Sequence, residues 1–245
     1  MQPSGTDGTT AIAEHGAQPD AGRAAKRWYD DACGTAQALE RLGERWALLV
    51  VREMLFGARR FSDLRAGLPG LSANVLTQRL EGLEAAGVVR RRVIEGRRPV
   101  QVYELTEWGQ QVEPILRALG HWAGRSAEPD RPYSAASLML ALRAAFSPDL
   151  ARGFVAVIGF RMPLDGFVAR VDINGIAIRR DDTDRVDLMI EGDPATIAAV
   201  VFDRRPLADA VAAEALRYTG SRALAERFVR LFPVVPRMSD PAVTG

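Results

Sequence analysis

The sequence predicts an α+β protein built from two units in tandem. Three observations carry that expectation. At 245 residues the chain is longer than one ordinary domain of roughly 100 to 150 residues. A Pro-, Gly- and charge-rich segment interrupts it near residue 130. On the near side of that break the apolar residues recur mainly at helical spacing, whereas on the far side strands dominate the first half. The expected division is a disordered tail over 1–22, a first unit over 23–124, a linker over 125–134 and a second unit over 135–245.

The tail, "MQPSGTDGTTAIAEHGAQPDAG", has no apolar period and no basic segment leading into an apolar run, so it does not read as a signal peptide. "TAQALERLG" (35–43) and "RWALLVVREMLF" (45–56) then give two apolar-striped helices, with Gly43 and Gly57 as stop signals. A short helix follows in "RFSDLRAGL", with Ser62 as its expected N-cap, and "LPG" at 68–70 ends it. In "LSANVLTQRL" Ser72 is the next N-cap. Leu71 and Leu76 bracket it at hydrophobic-staple spacing, and the helix runs from 73 to 86 before Gly87. The period then changes: "VVRRRVIEGRRPVQVYELT" (88–106) alternates and turns at "EGRRP", giving two antiparallel strands with a basic loop. The last helix, "EWGQQVEPILRALGHWAG", contains Pro114 and should kink or break there. Helix, helix, short helix, helix, hairpin, helix is the order of a winged helix-turn-helix.

Charge supports a polyanionic partner for this unit. The whole chain has a net charge of +1. By segment, residues 1–22 sum to −3, residues 23–125 to +5 and residues 126–245 to −1. Leu76, Leu80 and Leu83 form one stripe toward the core, so Asn74 and Gln78 point away from it, with Thr77 at the flank and Arg79 on the other shoulder. Asn and Gln can pair bidentately with adenine in the major groove, and Thr can bond a base edge or touch a thymine methyl. Asn74, Thr77 and Gln78 are therefore the expected base readers of double-stranded DNA, with Ser72 on a phosphate. Arg97 and Arg98 at the hairpin tip, Arg92 on the strand before it, and Arg59 and Arg60 ahead of the short helix are the further DNA candidates. Strand alternation puts Arg91 on the face opposite Arg90 and Arg92, so at least one of the three should meet a carboxylate or solvent.

In the second unit "SAASLMLALRAAF" is an apolar helix. Strands follow in "FVAVIGFRM", "GFVARVDI", "GIAIRR" and "RVDLMIEG", with a hairpin signal at Asn174-Gly175. "DPATIAAVVFD" opens with Asp193 as N-cap and Pro194 at the first helical position, and "PLADAVAAEAL", "RYTG" and "SRALAERFVRLF" add helix, strand and helix. The expected sheet is mostly antiparallel. Alternation places Phe154, Ala156, Ile158, Phe160 and Met162 on one face of the first strand and Val155 and Val157 on the other, so both faces are apolar there. One face is expected on helices and the other on more protein or a hydrophobic ligand, with Phe154, Ile158, Phe160, Met162 and Phe167 as the candidate lining.

Other chemistry is thin. Two histidines, His15 and His121, and one cysteine, Cys33, do not make a His/Cys metal site, so neither a metal nor another cofactor is expected. Asp181, Asp182, Asp184 and Asp187 lack the Gly and terminal Glu of a calcium loop and read as a solvated turn. With no Gly-rich phosphate loop and no nucleophile elbow, catalysis is not expected. The absence of a long apolar run predicts a cytoplasmic protein without a membrane partner.

The stretches "RWALLVVREMLFGARRFSDLRAGLPGLSANVLTQRLEGLEAAGVVRRR" and "RPVQVYELTEWGQQVEPILRALGHWA" resemble the HxlR-type winged helix-turn-helix transcriptional regulators of bacteria, over residues 33 to about 123. The resemblance implies a homodimer whose N- and C-terminal helices pair, with recognition helices in successive major grooves of an operator. Ile115, Leu119 and Trp122 supply an apolar stripe suited to that interface or to ordinary core packing. Cys33 stands where many members carry a cysteine, an oxidant sensor in some of them. A helix start favours its thiolate, Asp30 and Asp31 oppose it, and a small packing residue is the alternative. The run from "GFVAVIGFRM" through "RALAERFVRLF" resembles the sterol carrier protein fold, a five-stranded sheet and helices around an apolar tunnel. Glu214 stands where that pattern begins its "G-x-ϕ-x-ϕ-x-G" strand with glycine. Together the two resemblances imply a regulator whose DNA affinity responds to a hydrophobic small molecule. The alternatives are a second unit that serves only for dimerisation or protein docking, or a signal that is the oxidation of Cys33.

Overall fold

The computed structural model describes residues 29–124, 133–182 and 185–233. The expected tail, most of the linker, His15 and Asp184 lie outside the described residues.

Four helices open the fold: α1 (Gly34–Leu42), α2 (Ala47–Met54), α3 (Phe61–Gly67) and α4 (Ala73–Ala85). An antiparallel hairpin follows, β1 (Val89–Ile94) and β2 (Val100–Leu105), paired from Val89↔Leu105 to Ile94↔Val100. Then come α5 (Glu107–Gln110) and α6 (Glu113–Gly124), and the chain breaks between them just ahead of Pro114, which sits in the first turn of α6. This is the winged helix-turn-helix order. Its core is made by Val50, Val51 and Met54 of α2 and Leu76, Leu80 and Leu83 of α4, all at most 1% exposed. Leu64 of α3 completes it beneath Val89 and Leu105 of the hairpin.

The C-terminal half opens with α7 (Ala135–Ala145). Its strands β3 (Ala156–Met162), β4 (Asp165–Asp172), β5 (Gly175–Arg180), β6 (Leu188–Gly192) and β7 (Leu216–Gly220) form one sheet in the order β5-β4-β3-β6-β7. Helices α8 (Pro194–Val201) and α9 (Leu207–Ala212) lie between β6 and β7, and α10 (Arg222–Val229) follows. The expectation of a mostly antiparallel sheet is corrected: the sheet is mixed, because β6 runs parallel to β3 at its centre. Strand periodicity specifies which face is buried but not which strand lies alongside, so the crossover from β5 to β6 leaves no local signature. The hairpin between β4 and β5 also differs by one residue. Asp172 pairs with Gly175, so Ile173 and Asn174 are the two loop residues, and Asn174 N–H bonds the Asp172 carboxylate at 2.7 Å.

One face of the sheet carries Ile158, Phe160, Phe167, Ala169, Leu188 and Ile190 against Leu138, Met139 and Leu142 of α7, Val200 of α8 and Phe228 of α10. The opposite face is not uniformly apolar: Val155 is 80% exposed, and Arg161 pairs with Glu191 across the β3–β6 register. The two halves share a single apolar core. The Phe56 ring beyond α2 meets Phe167 of β4 edge-on at 5.7 Å, joining the helix-turn-helix core to the sheet core.

Two local details depart from the sequence expectation. Helix α3 is capped by Arg60, not Ser62: Asp63 in the first turn accepts the Arg60 N–H at 3.3 Å, and Ser62 is already inside the helix. Helix α9 ends in a Schellman-type turn, Ala215 N–H to Ala210 C=O at 3.1 Å, which puts Glu214 at φ +55°. Glycine suits that left-handed position, which Glu214 occupies with a full side chain.

Candidate nucleic-acid interface

Helix α4 begins where the serine side chain replaces a missing helical acceptor: Ser72 Oγ accepts the Val75 N–H at 3.3 Å. Leu71 and Leu76, 5% and 0% exposed, close the staple on either side of the cap. The leucine stripe is thus held inward, and Asn74, Thr77, Gln78 and Glu81 are exposed on the outer side of the helix. The Thr77 hydroxyl donates to Ala73 C=O at 3.1 Å, leaving its oxygen as an acceptor and its methyl outward. Arg79 is half-buried on the shoulder and paired with Glu44 at 3.2 Å, which ties α4 to the turn before α2. An exposed row of amide and hydroxyl groups on a rigidly anchored helix is what hydrogen-bond reading of base edges requires.

The hairpin supplies the charge. Arg97 and Arg98 are exposed at its tip. Below them all three strand arginines meet carboxylates. Arg90 and Arg92 bond the two oxygens of Glu104 at 2.8 and 3.0 Å. Arg91, on the opposite face, pairs with Glu84 at 2.9 Å and lies over the Tyr103 ring at 5.7 Å. Burial pushes the Glu104 carboxyl up, but the two arginine hydrogen bonds outweigh it and hold it below the usual carboxylate range. Arg92 is therefore half-neutralised within the wing, and the tip arginines are the better placed for a phosphate.

Arg59 as a DNA contact is corrected. It is only 6% exposed and its guanidinium is engaged inside the fold, with Nη1 on Asp165 Oδ1 at 2.5 Å and Nη2 3.4 Å from Oδ2. A guanidinium that finds a buried carboxylate in the C-terminal half stays with it, since removal would leave both charges buried and unpaired. Arg60, its neighbour, is exposed.

These features stand in a region with known relatives. A family model described as HxlR-like helix-turn-helix matches residues 41–131. The HTH-type transcriptional regulator YvaP of Bacillus subtilis is 43% identical over 94 residues, which are 38% of this chain and 86% of that protein. The chain belongs to the HxlR-like helix-turn-helix family. YkvN, another regulator of Bacillus subtilis, is 34% identical over 40% of this chain and 84% of its own length. Among solved structures, the redox regulator HypR in its oxidized form is 31% identical, with a TM-score of 0.37 covering 39% of this chain and 99% of that one. The family match ends at residue 131, ahead of the sheet of the C-terminal half.

Within this HxlR-like unit the apolar stripe of α6 is open: Ile115, Leu119 and Trp122 are 48%, 44% and 77% exposed, and Leu39 of α1 and Trp108 of α5 are exposed as well. Cys33 caps α1 with its thiol, Sγ accepting the Ala36 N–H at 3.3 Å, while its own N–H bonds the Asp31 carboxylate at 2.9 Å. It is exposed.

The candidate ligand residues lie elsewhere. Phe154, Ile158, Phe160, Met162 and Phe167 are at most 6% exposed and packed ring to ring: Phe160 lies 5.9 Å and Phe154 6.4 Å from Phe228. Two clefts among the described residues, about 340 Å³ between α1 and α4 and about 620 Å³ along β6 and β7, include none of the five. Among the aspartates of the turn before β6, Asp187 accepts the Val157 N–H at 2.7 Å and Asp181 pairs with Arg179.

Sequence reading missed a buried polar seam. Glu53 of α2, 1% exposed, accepts from Arg52 at 2.9 Å and from Ser134, the cap of α7, at 2.8 Å. Arg180 of β5 donates to Glu53 C=O at 2.9 Å and to Asp165 Oδ1 at 3.1 Å, and its ring contact is Phe167 at 4.9 Å. Burial pulls the Arg180 guanidinium below its ordinary value, against the pull of Asp165. The only sequence signal was a glutamate inside the apolar run "ALLVVREML".

Proposed function

We propose that the chain binds operator DNA as a homodimer and that its C-terminal half sets the DNA affinity, in response to a hydrophobic small molecule. The observation that carries the DNA reading is the outward row Asn74, Thr77 and Gln78 on a capped, leucine-anchored α4, flanked by the exposed Arg97 and Arg98. Asn74 and Gln78 present amides for adenine, Thr77 a methyl for thymine, Ser72 and the first backbone N–H groups a phosphate, and the wing arginines a minor groove or phosphates. Two-fold pairing through Ile115, Leu119 and Trp122, with Leu39 and Trp108 alongside, covers apolar surface that one chain leaves open. Binding two half-sites one turn of duplex apart would require the paired α4 surfaces to lie about 34 Å from each other. Family membership supports the DNA reading.

For the C-terminal half, the sterol-carrier-like order of elements and the aromatic face of β3 and β4 support binding of an apolar molecule. Its entry would exchange the ring contacts of Phe154 and Phe160 with Phe228 for contacts to ligand. A ligand changes DNA affinity only through unequal binding to the two conformations. A second reading rests on Cys33: an exposed thiol receiving a helix N–H is placed for oxidation, and treatment with peroxide would then alter DNA affinity in the native chain but not in Cys33→Ser.

The test is selection of duplexes from a random pool by the purified chain. Recovery of a two-fold symmetric sequence, bound by a species of twice the 26.7 kDa chain mass, is the expected result. A pool that stays random overturns the operator reading. Long-chain fatty acid is the probe for the second half: a rise in melting temperature together with changed operator affinity supports the effector reading, and a rise with unchanged affinity removes it.

A further inference from the structure

Arg59 lies where the wing, α3 and the C-terminal sheet meet, and its bonds run in three directions. Its backbone pairs reciprocally with Tyr103 of β2, N–H to C=O at 2.8 Å one way and 2.7 Å the other. Its Nη2 donates to Asp63 C=O in the first turn of α3 at 3.3 Å. Its Nη1 is held by Asp165 at the start of β4. Both side chains of that pair are 7% exposed, so solvent does not compete for either.

Asp165 is in turn held from the far side. Arg180 donates to the same Oδ1 and, through Nη1 and its backbone N–H, to the carbonyls of Glu53 and Phe56 at the end of α2. Two residues along β4, Phe167 meets the Phe56 ring. A closed circuit results: α2, β5, β4, Arg59, then the wing and α3. Any shift of β4 relative to α2 must either carry Arg59 with it or separate a buried ion pair.

We propose that Asp165 is a positioning residue for DNA binding: through Arg59 it fixes the angle of the wing and of α3 against α4, and so transmits the state of the C-terminal sheet to the DNA-facing surface. The inference rests on the DNA-binding reading of α4 but adds what that reading lacks, a physical connection between the two halves. Asp165 itself touches no DNA. Its carboxylate is a lever whose other end, β4, also carries the Phe167 side chain of the sheet core.

The experiment uses the full-length chain with Asp165→Asn, which keeps shape but removes charge, and Arg59→Lys, which keeps charge but cannot reach Asp63 C=O and Asp165 together. Affinity is measured for the duplex that the native chain selects and for a random duplex, and amide exchange is followed in β1–β2 and in β6–β7. The account expects selected-duplex binding to weaken about tenfold or more in both variants, random-duplex binding to change less, and wing amides to lose protection by a larger factor than those of β6–β7. Native-like affinity and native-like wing exchange in either folded variant overturn the proposal. So does exchange accelerated equally everywhere with an unchanged ratio of selected to random affinity, which is the mark of a merely structural pair. If Asp165→Asn does not fold, Arg59→Lys supplies the same readouts. Should the native chain select no duplex, the DNA reading fails by itself, and wing exchange still decides whether Asp165 positions the wing.

Discussion

The outer face of α4 and the seam between α2 and β4–β5 are both polar, yet they are built on opposite terms. On α4 the row Asn74, Thr77 and Gln78 is neutral and exposed, and Thr77 is partnered within its own helix, with Ala73. At the seam they are charged, largely buried and bonded across the molecule, as Arg59 and Arg180 are with Asp165. A group kept free for an outside partner contributes little to folding, and a charge taken out of water must be matched within the fold. The difference separates residues that serve recognition from residues that hold the two halves together, although both are hydrophilic in the sequence.

Substitutions can sharpen that contrast, beginning at the seam. Asp165→Asn leaves Arg59 buried beside a neutral amide, and breaking a buried pair of this kind costs about 3–5 kcal/mol. Chemical denaturation should show that loss, and a loss under about 1 kcal/mol would place the pair in water. A smaller effect of opposite sign is expected at Glu214. Its left-handed backbone at φ +55° costs an L-residue roughly 1–2 kcal/mol that glycine does not incur, so Glu214→Gly should raise the melting temperature by a few degrees.

Acid should act on α8. Burial pushes Asp193 up, but hydrogen bonds from the Thr196 side chain and from backbone N–H groups outweigh it and hold the carboxyl below its usual range. Its folded value is thus lower than the unfolded one of about 3.9. The cap's contribution is complete above that unfolded value and is lost as pH falls through the folded one. Asp193→Asn, which retains a capping oxygen, should flatten the melting temperature against pH in that acid range. Least of all for folding is Arg97→Ala at the wing tip, within about 0.5 kcal/mol of native stability. Its effect belongs to DNA: weaker binding to every sequence, and a salt slope shallower by about 0.9.

What was legible in the sequence was local. The Ser72 cap, the Leu71 and Leu76 staple, the leucine stripe, the turn at "EGRRP", the break ahead of Pro114 and the Asp193-Pro194 start each depend on residues within a turn or two of one another, and the structure has them. What escaped depends on distant pairs. Arg59 and Asp165 are 106 residues apart, so an arginine next to Arg60 looked like a second phosphate contact. The parallel pairing of β3 with β6 likewise lies between strands that no turn connects. The aromatic face of β3 was legible as apolar, but residues distant in sequence make it a packed core, Phe228 among them, 68 residues beyond Phe160. Ser62 lost the cap of α3 because Asp63 reaches back to Arg60 and starts the helix two residues sooner than a serine cap would.

The central claim is that the amide edge of α4 distinguishes base pairs, and Gln78→Ala tests it most directly, since the side chain is exposed and its loss should leave the fold intact. With the ratio of selected-duplex to random-duplex affinity as the readout, the account predicts a fall worth about 1–3 kcal/mol, concentrated at one base-pair position, with random binding nearly unchanged. Equal losses on both duplexes, or none on either, would contradict it.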